Sequence, residues 1–225
     1  VNGKKDEEGI FKDGKQDGLW TFWYENGQKK REGKYKDGER DGLYTFWYDN
    51  GQKEEEGTYK DDKKDGLWTF WNENGQKRSE VTYKNGKQDG LFTTWNENGQ
   101  KKIEKTFKGF TRYGDPQLDG LWTEWYENGQ MKQEFTFKDG KQDGKFTFWY
   151  ENGQKVKEGT YKDDKKDGLW TFWYVNGKKD EEGIFKDGKQ DGKFTFWYDN
   201  GQKSSEKTYK DGEVVELIGK WNEDG

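Results

Sequence analysis

Leu19-Trp20-Thr21-Phe22-Trp23-Tyr24-Glu25-Asn26-Gly27-Gln28 decides how this chain folds, because close copies of it run through the whole length. It returns as LYTFWYDNGQ from Leu43, LWTFWNENGQ from Leu67, LFTTWNENGQ from Leu91 and LWTEWYENGQ from Leu121. KFTFWYENGQ from Lys145, LWTFWYVNGK from Leu169 and KFTFWYDNGQ from Lys193 complete the set. Aromatic and polar residues alternate up to an Asn-Gly pair, which is a strong short-range hairpin signal. Read as a two-residue type I′ loop, Asn26-Gly27 joins a strand over 19–25 to one over 28–36. That loop pairs Trp20 with Gly33, Thr21 with Glu32 and Phe22 with Arg31, and Gly33 leaves room for the ring opposite.

The second connection, residues 37–42, contains only turn formers and charged residues. As a six-residue loop it sets Tyr35 opposite Tyr44, Gly33 opposite Phe46 and Glu32 opposite Trp47. Both loops are even, so every unit shows the same columns to the same side. One face carries Trp20, Phe22, Tyr24, Gly33 and Tyr35; the other carries Leu19, Thr21, Trp23, Glu32, Lys34 and Lys36.

The period follows from the Asp-Gly pairs at Asp17, Asp41, Asp65, Asp89, Asp119, Asp143, Asp167 and Asp191, spaced by 24 residues with a single step of 30. The chain reads as one array over 1–225, about nine units with a six-residue insertion inside 108–120 and a degenerate terminal strand at 213–225. Residues 1–18 repeat at 175–192 and residues 56–71 at 158–173 without a change. Such copying points to recent internal duplication or an idealised repeat. The start at Val1 reads as a processed or trimmed end.

Composition fits a thin, solvated, all-β structure. Only 27% of residues are apolar, but 18% are aromatic, and 39% charged residues leave a net charge of −5. Aromatic rings supply the buried area that aliphatic side chains lack. A pI near 5.2 gives no basic stripe for nucleic acid, and no apolar run is long enough for a membrane-spanning helix.

Across the repeats, Glu recurs in the column of Glu32 and Lys in that of Lys36, which reads as a solvated ladder of opposite charges. Trp23, Trp47, Trp71, Trp95, Trp125, Trp149, Trp173 and Trp197 form a column that Trp221 continues. These indoles fall on the charged face, so they are expected either to lie under the stems of Glu and Lys neighbours or to form a binding surface.

Glu32-Gly33-Lys34-Tyr35-Lys36-Asp37-Gly38-Glu39-Arg40-Asp41-Gly42 resembles the EGxWxNGxxxG core of MORN repeats, and the 24-residue period resembles the bacterial variant of that repeat. The likeness covers essentially the whole chain. It implies an elongated antiparallel array of β-hairpins, as a single-layer ribbon or curled groove, without catalytic residues. It also implies an exported or cell-surface repeat protein, of a kind sometimes catalogued as antitoxin-like or immunity-type. Leu43 and an aromatic follow Gly42 where the eukaryotic pattern has a second Gly, so eukaryotic lipid-binding roles do not carry over.

Chemistry is sparse in this composition. With neither His nor Cys, the usual general bases, metal ligands and thiol nucleophiles are missing, so no enzyme, cofactor or metal is expected. Asp13-Gly14-Lys15-Gln16-Asp17-Gly18 has Lys where a calcium loop needs an oxygen ligand, and reads as a turn. The least repetitive stretch is the insertion, where Phe110, Arg112 and Tyr113 are residue types that dominate protein interfaces. Two functions are therefore expected to compete. One is a scaffold that binds a protein through the aromatic face or the inserted loop, with a second copy able to cover that face. The other is a glycan-binding surface built on the Trp23 column.

Overall fold

The structure is a computed structural model that describes Gly3 and residues 5–224. Val1, Asn2, Lys4 and Gly225, four positions of the 1–225 array, lie outside the described residues. The chain forms strands and turns, with no helix among the described residues. It divides into two compact units, Val1–Pro116 and Gln117–Gly225.

The first unit is an antiparallel meander of β1 (Glu7–Lys12), β2 (Lys15–Trp23), β3 (Lys29–Lys36), β4 (Glu39–Trp47), β5 (Lys53–Lys60), β6 (Lys63–Trp71), β7 (Lys77–Lys84), β8 (Lys87–Trp95) and β9 (Lys101–Phe110). The second runs through β10 (Pro116–Trp125), β11 (Met131–Lys138), β12 (Lys141–Trp149), β13 (Lys155–Lys162), β14 (Lys165–Trp173), β15 (Lys179–Lys186), β16 (Lys189–Trp197), β17 (Lys203–Lys210) and β18 (Glu213–Lys220). The period thus yields eight complete hairpins, with β1 and β18 as half-units on either side.

The first register is as expected: Trp20 pairs with Gly33, Thr21 with Glu32 and Phe22 with Arg31. Its loop is not. Gly27 N donates to Tyr24 O and Tyr24 N to Gln28 O, so Glu25-Asn26-Gly27 is a three-residue turn, and of these only Gly27 has positive φ, at 89°. Lys30 then bulges between the pairs Trp23–Lys29 and Phe22–Arg31. The bulge restores the parity that an odd loop would break, and this is why the expected pairs form.

The type I′ turn lies at the other end. Asp37 and Gly38 have φ of 52° and 89°, and Lys36 pairs with Glu39 directly across them. The strands therefore begin at Lys15 and Glu39, earlier than the sequence suggested, and the loop of 37–42 shrinks to two residues. An irregularity between Tyr35 and Gly33 follows, and Gly33 faces Tyr44 where Phe46 had been expected, while Phe46 faces Arg31. The shift is by two residues, so every side chain keeps its face.

The core of each unit is a file of aromatic rings along one of its faces. Trp20, Tyr44 and Trp68 in the first unit are 0–2% exposed, as are Trp170 and Phe194 in the second. Each lies flat over a glycine of the preceding strand: a Cβ on Gly33 would fall 2.4 Å from the Tyr44 ring, and one on Gly57 2.3 Å from Trp68. The space at Gly33 is thus filled from the following strand and not by Trp20, whose own ring covers Gly9. Edge-on contacts continue the file through Trp20–Tyr35, Tyr35–Tyr44, Tyr44–Tyr59 and Tyr59–Trp68, at 4.9–6.3 Å between centroids. Such pairs contribute roughly 0.5–1.5 kcal/mol each beyond their burial.

Candidate binding surfaces

The aromatic face offers less free surface than its composition promised. Its innermost rings are covered by the chain's own neighbours, and Phe22, Phe46 and Phe70 on the same face are half-buried. Cations stand against rings of both rows. The Arg31 guanidinium stacks 4.0 Å from the Phe22 ring, Arg40 3.9 Å from Tyr59, and Lys64 Nζ 3.8 Å from Trp68. Arg40 Nε also donates to Asp62, and Lys64 to Glu55.

On the opposite face the Trp23 column is half-buried from Trp23 to Trp197, and Trp221 is 40% exposed. Lys29 Nζ stands 5.6 Å from the centroid of Trp47, and the same arrangement joins Lys53 to Trp71, Lys77 to Trp95, Lys155 to Trp173 and Lys179 to Trp197. Each of these lysines also binds the recurrent glutamate. Lys29 Nζ lies 2.6 Å from Glu32, which accepts a second bond from Thr21 Oγ1 at 3.0 Å. The glutamate of the expected ladder thus bonds to Lys29 and Thr21, with Lys29 and not Lys36 as its cation, and Lys29 in turn stands over the Trp47 ring. The Lys29 bond holds the Glu32 carboxyl below its usual pKa, against the opposing effect of partial burial.

At the Asn-Gly edge, clefts open beside two of these indoles. One, of about 500 Å³, is lined by Trp23, Tyr24, Glu25, Asn26, Lys30 and Asp49; the other, of about 440 Å³, by Gln154, Lys155, Trp173 and Gly177. In the first unit this edge is pinned from repeat to repeat. Tyr24 Oη donates to Trp47 O at 2.7 Å and Asn26 Nδ2 to Asp49 O at 2.7 Å, a pattern repeated by Tyr48 and Asn50.

The insertion is an ordered turn. Gly114 N donates to Thr111 O and Thr111 N to Asp115 O, reproducing the three-residue turn of the Asn-Gly edge with Arg112-Tyr113-Gly114 in its centre. The flanking strands β9 and β10 grow to ten residues each. Tyr113 is 80% exposed, with the Arg112 guanidinium 5.0 Å from its ring. Phe110 is half-buried beside Lys87 Nζ, 4.6 Å from the ring, so the three candidate residues of the loop divide into one support and two at the tip.

The family model described as MORN repeat variant matches residues 16–37, 40–61, 64–85, 88–108, 118–139, 142–163, 166–187 and 190–211. The chain belongs to the MORN repeat variant family. Each matched MORN stretch is one hairpin; six of the eight run from the second residue of one strand to the turn after the next, while 88–108 stops inside β9 and 118–139 starts at the third residue of β10. The segment 109–117, with the inserted turn, falls between two matches, and β1 and β18 lie outside them. No match was found among curated proteins. A MORN array is a repeat scaffold, and no helix among the described residues is long and apolar enough to cross a membrane.

Proposed function

We propose that this MORN array is a non-catalytic, exported scaffold that engages a protein partner through the inserted turn at 111–115. The observation that carries this reading is the Arg112–Tyr113 pair, held at the tip of a hydrogen-bonded turn with Tyr113 80% exposed. An exposed Tyr stacked on Arg, on an ordered support, loses little conformational entropy on binding and belongs to the residue types that dominate interfaces. Affinity capture with the tagged full chain from the native cell envelope is expected to recover one defined protein, and deletion of 109–114 is expected to abolish capture. Unchanged capture by the deletion variant would remove the loop from the interface.

The clefts beside Trp23 and Trp173 favour a second reading, in which glycans bind along the Asn-Gly edge. Half-exposed indoles with Asn, Gln and Asp around them suit the apolar face and hydroxyl rim of a sugar. A saccharide array together with Trp fluorescence titration separates the two readings, since a protein-only scaffold responds to no sugar.

A further inference from the structure

The identical stretches 56–71 and 158–173 make a controlled comparison inside one chain, because the residue before each block differs: Glu55 in the first unit, Lys157 in the second. Register is the same in both. Glu55 pairs with Phe70 and Tyr59 with Lys64; Lys157 pairs with Phe172 and Tyr161 with Lys166. In the first unit Glu55 Oε2 lies 2.8 Å from Lys64 Nζ, both side chains being about three-quarters buried. In the second unit a lysine stands where that carboxylate would be.

We infer that Lys157 and Lys166 form a seat for a carboxylate supplied from outside the chain, by an acidic side chain of a partner protein. Both residues are half-buried on the aromatic face. Lys166 Nζ is surrounded by the rings of Trp170, Phe172 and Phe185 at 4.5, 4.9 and 4.6 Å, and Lys157 Nζ stands 5.5 Å from Phe146 and 5.8 Å from Phe148. Among the described residues neither is in an ion pair, whereas Lys64 is. Glu181, which pairs with Phe172 where the first unit sets Ser79 opposite Phe70, acts on Lys166 by charge, but it makes no ion pair with it and instead accepts from Gln190 Nε2 at 3.3 Å. Burial lowers the pKa of Lys166, the charge of Lys157 lowers it further, and the charge of Glu181 acts against both to raise it. Two like charges on one sheet face cost stability, and their aromatic surroundings soften that cost without neutralising either. The group that fits is the one Glu55 brings to Lys64.

This site is separate from the inserted turn, and its test does not depend on that turn. A capped glutamate tetrapeptide is titrated calorimetrically into the full chain at low salt, with the glutamine tetrapeptide and inorganic phosphate as comparisons. One equivalent of the glutamate peptide is expected to bind, and the glutamine peptide is not. Lys157→Glu, which recreates the pairing already present at Glu55 and Lys64, is expected to lower affinity roughly tenfold or more. Lys157→Met is a neutral check should that variant unfold. Glu55→Lys builds the same two-lysine seat in the first unit and is expected to add a second equivalent. Unchanged affinity in Lys157→Glu or Lys157→Met, no added site in Glu55→Lys, or binding of phosphate without the peptide would overturn the assignment. Deletion of 109–114 is expected to leave the peptide affinity intact.

Discussion

Glycine and aromatic ring act as one piece at the centre of each hairpin, and a substitution shows it most directly. Gly57→Val drives a side chain into the Trp68 ring, where even a Cβ would lie 2.3 Å away. It is expected to cost about 1–3 kcal/mol in urea unfolding. The same column carries Val81, buried without difficulty opposite the smaller Phe92. Trp68→Phe in the Gly57→Val background is therefore expected to recover part of the loss, although alone it is destabilising. The acid response also belongs to single residues. Glu32 is held low chiefly by its bond from Lys29, and Glu56 by Lys53 and Thr45 together, which outweigh its larger burial effect. Folded-state values depressed below an unfolded value near about 4.3 stabilise the protein above that pH, and the contribution disappears as pH falls through the folded values. Burial raises Glu181, so its contribution has the opposite sign, favouring the folded state at low pH. A calorimetric series is expected to show little change from neutral pH to about 5 and a decline below about 4.3, shallower in the Glu32→Gln, Glu56→Gln double variant.

Within a hairpin, the two turns divide the work differently from what their sequences suggest. Asn26-Gly27 resembles a type I′ pair, yet Asn26 donates its amide to Asp49 O and accepts from Gln28 N, and the loop takes three residues. Nothing inside one unit shows that Asn side chain reaching the next, so the loop length was not legible. Faces were legible because side-chain direction has a period of two and both errors cancelled in steps of two. Lys157 and Lys166 do not stand out in the sequence for a related reason: only the register shows that position 55 touches position 64. The Tyr24-type bond is an element-level device and is absent where Asn72 replaces Tyr, since the shorter side chain cannot span to the next unit. Tyr48→Phe removes the bond to Trp71 O, 2.8 Å long, and is expected to cost about 0.5–1.5 kcal/mol. Asn72→Tyr is expected to raise the unfolding midpoint by restoring one. Hydrogen exchange at the turns after Trp47 and Trp71 reports both changes locally.

Taken whole, the protein is quasi-one-dimensional within each unit, since every strand pairs with its neighbours in sequence. Stability in such arrays is a sum of repeat terms and nearest-neighbour terms. Deleting residues 40–63, one full period, joins Glu39 to Lys64 and leaves the flanking register unchanged. That variant is expected to remain folded by circular dichroism, with a smaller denaturant slope. A deletion of half a period joins strands of the same kind and is expected to unfold the hairpins beside it.

The two sides of each unit are also optically distinct. On one side, Trp20, Trp68 and Trp170 are buried and donate Nε1–H to the carbonyls of Ile10, Thr58 and Thr160 at 3.0–3.2 Å. On the other, half-buried indoles stand beside lysine ammonium groups. A cationic fringe draws an iodide quencher toward the second population, whereas the first is screened from it and couples ring to ring in the near ultraviolet. Each unit thus carries an intrinsic readout of which of its faces a ligand approaches, without any attached dye.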